Sequence, residues 1–149
     1  MKDFNITKHF KFFELTDSKS HPELVEENRF EAFKKLGILL DLCVLVLEPA
    51  RLVIGGPLEV TSGFRCFKLN TAVGGSLTSQ HMKAEAGDVK PRLITIDEGY
   101  RRLMQSKVNY GQLINEYSSW IHISLGYPYR EMIKSNINIK LKRKNYGIS

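Results

Sequence analysis

Apolar residues recur at three- and four-residue intervals between Pro22 and Leu47, at Val25, Phe33, Leu36, Leu40, Cys43, Val44 and Leu47. That spacing predicts a long amphipathic helix with one face turned to a core. Pro49 has no N–H and its ring crowds the preceding turn, so it is expected to end or kink that helix. "ARLVIGG" predicts a short second helix closed by Gly55 and Gly56, and "LEVTS", Leu58 to Ser62, has the alternation and β-branching of a strand. "GFRCFKLNTAVGGS" predicts a loop and a short helix whose end is marked by its glycines. Thr95 with Glu98 forms a capping box ahead of the helix "IDEGYRRLMQSK". "GQLINE" and "SWIHISL" alternate on either side of a very short polar turn, which predicts a hairpin. The fold class is therefore α+β, N-terminal helices packed on a small antiparallel sheet with one helix inserted.

Composition narrows the picture only a little. The chain has 149 residues, 42% hydrophobic and 26% charged, which suits one globular domain over residues 1–149 with a basic tail from about residue 134. No apolar run reaches the ~18 residues of a membrane span. Asp3, His9, Lys11 and Glu14 interrupt the N-terminal segment, so no signal peptide is expected there. Cys43 and Cys66 lack the spacing of a disulfide framework or a zinc cluster and read as two reduced thiols. The net charge of +6 favours a polyanionic partner, whether nucleic acid, anionic lipid or cell wall. No basic and aromatic interleaving suggests a stacking platform, so specific nucleic-acid binding ranks last.

Alternation in "SWIHISL" puts Ile121, Ile123 and Leu125 on one face of a strand and Trp120, His122 and Ser124 on the other. In "AEAGDV", Ala84, Ala86 and Asp88 share a face, and the two alanines leave space before the carboxylate. A carboxylate in such a setting needs a positive partner. His81 at the start of that strand, Asp88 near its end and His122 from the hairpin would make a three-ligand Zn²⁺ site with a fourth position for water. The alternative is that Asp88 pairs with one of the many lysines or arginines. If Tyr117, Ser118 and Ser119 form the turn, Glu116 pairs with Trp120 and lies diagonal to His122, about 7–8 Å away between backbones. A glutamate there suits a general base. It equally suits an exposed turn residue. His9 and His21 read as structural or solvated.

The segment "TSGFRCFKLNTAVGGSLTSQHMKAEAGDV" followed by "WIHIS" resembles the zinc D-Ala-D-Ala carboxypeptidases and related peptidoglycan peptidases, among them bacteriophage endolysins of this type. The shared pattern is Ser-x-His-x-x-Gly-x-Ala-x-Asp, after a Ser-Gly-Tyr-Arg turn and before a Trp-x-His strand. The similarity covers most of residues 8 to 125. It implies a hedgehog/D-Ala-D-Ala peptidase-like fold, Zn²⁺ on His81, Asp88 and His122, Ser79 and Arg65 at the substrate, and Trp120 as a flat wall of the cleft. Arg65 would take a peptide carboxylate or a polarised carbonyl, which its planar fork suits. Glu116 is the implied base, although some relatives carry that glutamate where this chain has Ser119. Two further departures are Ala84 for the motif's glycine, which could narrow the cleft, and Cys66-Phe67 for Ser-Pro.

The resemblance thus implies a zinc metallopeptidase, carboxypeptidase or endopeptidase, cleaving D-amino-acid-containing stem peptides of peptidoglycan. The expected protein is a monomer, held in a host cytoplasm until released to the wall, or carried on a virion. The alternative is a catalytically silent wall-binding or virion structural domain of the same fold.

Overall fold

Residues 1–126 and a backbone strand at 132–135 are described in the computed structural model. The predicted basic tail lies outside the described residues except where it meets the end of that strand. Among the described residues no helix is long and apolar enough to cross a membrane.

The single helix expected from Pro22 to Leu47 is broken. After a 3-10 turn at Pro22–Leu24, α1 runs Val25–Phe33 and α2 starts afresh at Leu36–Leu42. Between them the N–H groups of Lys34 and Lys35 donate to Glu31 and Ala32, three residues back, which tightens the chain and turns it. The buried side chains are Val25, Asn28 and Ala32 on α1, then Leu39 and Leu42 on α2. Phe33, Leu40 and Val44, expected in the core, are 53%, 43% and 50% exposed, because the break resets which face turns inward.

Pro49 does not end the second helix. Cys43–Leu47 widens into π turns, Glu48 N–H donates to Cys43 O five residues back, and α3 (Glu48–Ile54) carries Pro49 in its first turn. The widened turn before it lets the helix continue past a residue that has no N–H to give. Gly55, at φ 81°, closes α3 by donating to Arg51 O at 3.0 Å, as the two glycines predict.

β1 (Leu58–Ser62), α4 (Phe67–Ala72), a 3-10 turn at Gln80–Lys83, β2 (Ala86–Pro91), α5 (Ile96–Gln105), β3 (Tyr110–Glu116), β4 (Trp120–Leu125) and β5 (Met132–Ser135) follow in order. The sheet order is β1-β2-β4-β3-β5. The first four strands are antiparallel, which fits the predicted sheet, and β5 adds a parallel edge beside β3 that the sequence did not suggest. The hairpin register is the expected one, Glu116 opposite Trp120. Of the predicted capping box only half forms: Thr95 Oγ1 accepts Glu98 N–H at 3.1 Å, while the Glu98 carboxylate binds Arg101 and Arg102 instead.

One sheet face is apolar. Leu58, Val60, Val89, Leu113, Ile121 and Ile123 pack against Leu42, Val46, Leu47, Ala50 and Ile54 of the long helix and Leu103 of α5. A second cluster, Phe12, Ala32, Leu39, Phe64, Cys66, Leu69 and Ala84, lies under α1, α2 and α4. Both cysteines are buried and free, and burial pushes the Cys43 thiol up to about 12. The opposite sheet face carries Asp88, His122 and Trp120, and the functional site is built there.

Candidate metal centre

β2 and β4 are neighbours although β3 separates them in sequence, and their register sets Asp88 directly opposite His122. His81 comes from the 3-10 turn at Gln80–Lys83, not from the start of a strand as expected. Ala84, at φ 61° and ψ 21°, turns the chain left-handed after that turn, so β2 begins only at Ala86. Ser79 caps the turn, its Oγ accepting the backbone N–H of His81 at 3.2 Å.

One ligating atom from each of His81, Asp88 and His122 lies within 4.8 Å of the others. Asp88 Oδ1 is 3.3 Å from His81 Nε2 and 3.1 Å from His122 Nδ1. A tetrahedral ion with bonds of about 2.0–2.1 Å separates its ligands by about 3.4 Å, so the spacing suits one. Hydrogen bonding makes the same case. His81 Nδ1 is 2.7 Å from Gly63 O, which can only accept, so that nitrogen holds the proton. Nε2 is thereby left facing the Asp88 carboxylate, and the two belong to the one group of candidate ligand atoms. His122 Nε2 is in turn 3.1 Å from Gln80 Oε1, which leaves Nδ1 facing Asp88. Outer partners of this sort fix imidazole tautomer and ring orientation at metal sites.

Asp88 stays ionised. Burial alone would raise its carboxyl, but the hydrogen bonds from His122 and His81 outweigh that and hold it well below the usual carboxylate range.

A family model described as Peptidase M15 matches residues 9–124. The chain belongs to the peptidase M15 family. No curated protein matches the chain with significance. Membership makes this M15 chain a peptidase by family, and its three clustered side chains supply the metal-binding set that a metal-dependent family requires.

A cleft of about 740 Å³ meets the centre at Asp88 and is bordered by Arg65, Trp120, β1 and the loop at 17–20. Arg65 is held from both sides. Asn28, fully buried on α1, donates to Phe64 O at 2.9 Å and accepts Cys66 N–H at 2.7 Å, and Arg65 N–H itself donates to His81 O at 3.1 Å. Burial lowers the Arg65 guanidinium from its ordinary value, Asp88 opposes that shift, and the group stays cationic. Its Nε is buried with no hydrogen-bond partner among the described residues, while the residue itself borders the cleft.

Glu116 is half-buried and shares a sheet face with Trp120 and His122. The turn after it is strained, with Tyr117 and Ser118 at φ 56° and 57°. Asp97, in the first turn of α5, tethers that turn: Oδ1 accepts Asn115 Nδ2 at 2.9 Å and also Ser118 Oγ. These two hydrogen bonds hold the Asp97 carboxyl below its ordinary range.

Ala84 is fully buried in the second core cluster and turned away from the cleft. The expectation that it narrows the cleft is corrected. The motif's glycine is explained by the left-handed backbone at this position. His9 is bound to Glu48 at 2.8 Å and His21 to Glu23 at 3.1 Å, both structural as expected. Gly63, Gln80, Asn28 and Asp97 were not singled out from the sequence. Only the Gln80–His81 adjacency could have drawn attention to one of them.

Proposed function

We propose that this M15 protein is a Zn²⁺ peptidase that hydrolyses D-amino-acid-containing peptide bonds in the stem peptides of bacterial peptidoglycan, as a carboxypeptidase or an endolysin-type endopeptidase. The observation that carries this reading is the meeting of His81, Asp88 and His122 at tetrahedral spacing, where Asp88 and the cationic Arg65 border one cleft. Two imidazoles and one carboxylate match the ligand chemistry of a catalytic zinc site. Bound there, Zn²⁺ supplies Lewis-acid chemistry, polarising a carbonyl and acidifying water.

The protein's own groups do the rest. The Arg65 fork takes a substrate carboxylate or carbonyl, and Trp120 lines the approach. Glu116 accepts a proton from the attacking water and returns it to the nitrogen as the C–N bond breaks, giving a free carboxylate and a free amine. Ser79 acts through the turn it caps, holding His81 in place.

The test is release of amino groups from purified peptidoglycan, with metal content measured on the same samples. His81→Ala and Asp88→Ala are expected to lose both metal and cleavage. Cleavage that survives in either variant would sink the assignment, and bound metal without cleavage by the native protein would favour a silent wall-binding domain. Mass spectrometry of fragments from defined muropeptides then separates carboxypeptidase from endopeptidase.

A further inference from the structure

Among the described residues β1 is the outer strand of the sheet, paired on one side with β2. Arg92 N–H donates to Pro57 O at 3.1 Å, which makes Pro57 and Arg92 a hydrogen-bonded pair. Antiparallel ladders alternate bonded and non-bonded pairs. Glu59 with Lys90 is therefore bonded, and Leu58 with Pro91 and Val60 with Val89 are not. Pro91, with no N–H to give, fits its non-bonded place. The main-chain N–H and C=O groups of Leu58 and Val60 consequently point away from β2.

Val60 nonetheless borders the cleft that holds Asp88, Arg65 and Trp120. Its side chain belongs to the apolar core and the residue is 8% exposed, so the only polar atoms it has to offer the cleft are those of its main chain. The next step along β1 leads to the metal centre, since Ser62 pairs with Asp88. Between them the ladder slips at Thr61, whose Oγ1 donates to Asp88 O at 3.3 Å. Such a bulge ends regular pairing, so a chain laid along the edge leaves it beside the candidate ligands.

We propose that the substrate binds as an added strand on β1, an extended peptide pairing with the outward N–H and C=O of Val60 and running toward Asp88. Strand addition takes affinity from main-chain bonds and leaves specificity to the side-chain pockets. It suits a substrate read chiefly by its backbone, with Arg65 fixing the charged or polarised end. This inference rests on the peptidase reading and names how that same site takes its peptide.

The experiment compares the intact protein on a synthetic stem pentapeptide ending in D-Ala-D-Ala with analogues carrying one ester or one N-methyl amide at each non-scissile position. Edge pairing has period two, so alternate positions are expected to raise KM about tenfold for each lost hydrogen bond while the positions between do not. The zinc affinity of the protein is untouched because only the peptide changes. Equal KM across all positions, or an equal rise at every one, overturns edge pairing. The two proposals fail differently. If the native protein leaves the unmodified peptide intact, the function and this binding mode fall together, whereas cleavage without a two-residue pattern removes the binding mode alone.

Discussion

Gly63→Ala tests how closely the protein backbone sets the metal centre. A Cβ built on Gly63 would lie 2.3 Å from Leu15 O and 2.8 Å from Leu15 C, where ordinary contacts begin near 3.4 Å, so something must yield by about an ångström. Leu15 cannot retreat cheaply: its side chain is fully buried and its carbonyl accepts Phe64 N–H at 2.7 Å. If Gly63 moves instead, its carbonyl leaves His81 Nδ1. Overpacking costs about 1–3 kcal/mol. A hydrogen bond lost from a buried group adds about 1–3 kcal/mol. Together the two come to about 2–6 kcal/mol, a fall in Tm of about 4–24 °C at this chain length. Loosening His81 should also weaken Zn²⁺ binding about 10–100-fold. Thermal melts of metal-free protein give the first figure and chelator competition the second. Stability lost with zinc affinity unchanged would refute the claim that Gly63 O orients His81, and no change in either would refute the packing itself.

Three further outcomes are expected. Ala84→Gly relieves a left-handed alanine, about 1 kcal/mol, but removes a fully buried methyl worth about 0.8 kcal/mol, so urea melts should move by less than about 1 kcal/mol and a larger change either way contradicts this balance. Asp97→Ala strands the buried amide of Asn115 and frees the turn beside Glu116. It should cost about 1–3 kcal/mol and lower kcat without altering zinc affinity, whereas Asp97→Asn, which keeps an acceptor, should lose less; parallel loss of zinc would count against this role. In metal-free protein Asp88 has a depressed carboxyl, so its stabilisation is fully present above the unfolded value of about 3.9 and is lost as pH falls further. The stability gap between native protein and Asp88→Asn should therefore shrink between pH 5 and pH 2 in denaturant melts, and a constant gap would contradict the assignment.

Elements with strong local signals were legible. The strands at Leu58–Ser62 and Trp120–Leu125, the α5 cap at Thr95 and the Gly55 stop all rest on residues within a few positions of one another. The long helix was misjudged where a local choice was settled by tertiary packing. Lys34 and Lys35 carry no breaker signature, yet the chain turns there so that α1 can set Asn28 against Phe64 and Cys66. Pro49 does carry a breaker signature, but the wider π turns before it remove the clash at little cost. β5 was missed because its four residues have no hairpin partner nearby and pair in parallel with β3.

At the site, the three candidate ligands could be proposed from residue type and spacing, but their supports could not. The acceptor for His81 is a main-chain carbonyl 18 positions away, and the group on His122 is an amide 42 positions away. Neither partner differs in type from dozens of other backbone or amide groups in the chain. What brings them together is register. Asp88 faces His122 only while Val89 pairs with Ile121 and Gly87 with Ile123. A slip of one residue would carry Asp88 into the apolar face and turn Val89 toward the cleft. Val89, Ile121 and Ile123 are fully buried, so such a slip would expose a core side chain and bury an ionised one at once. The apolar alternation that makes the hairpin readable is therefore also what fixes the distance between Asp88 and His122. Polar substitutions at Ile121 or Ile123, on the face away from the cleft, should weaken metal binding together with stability.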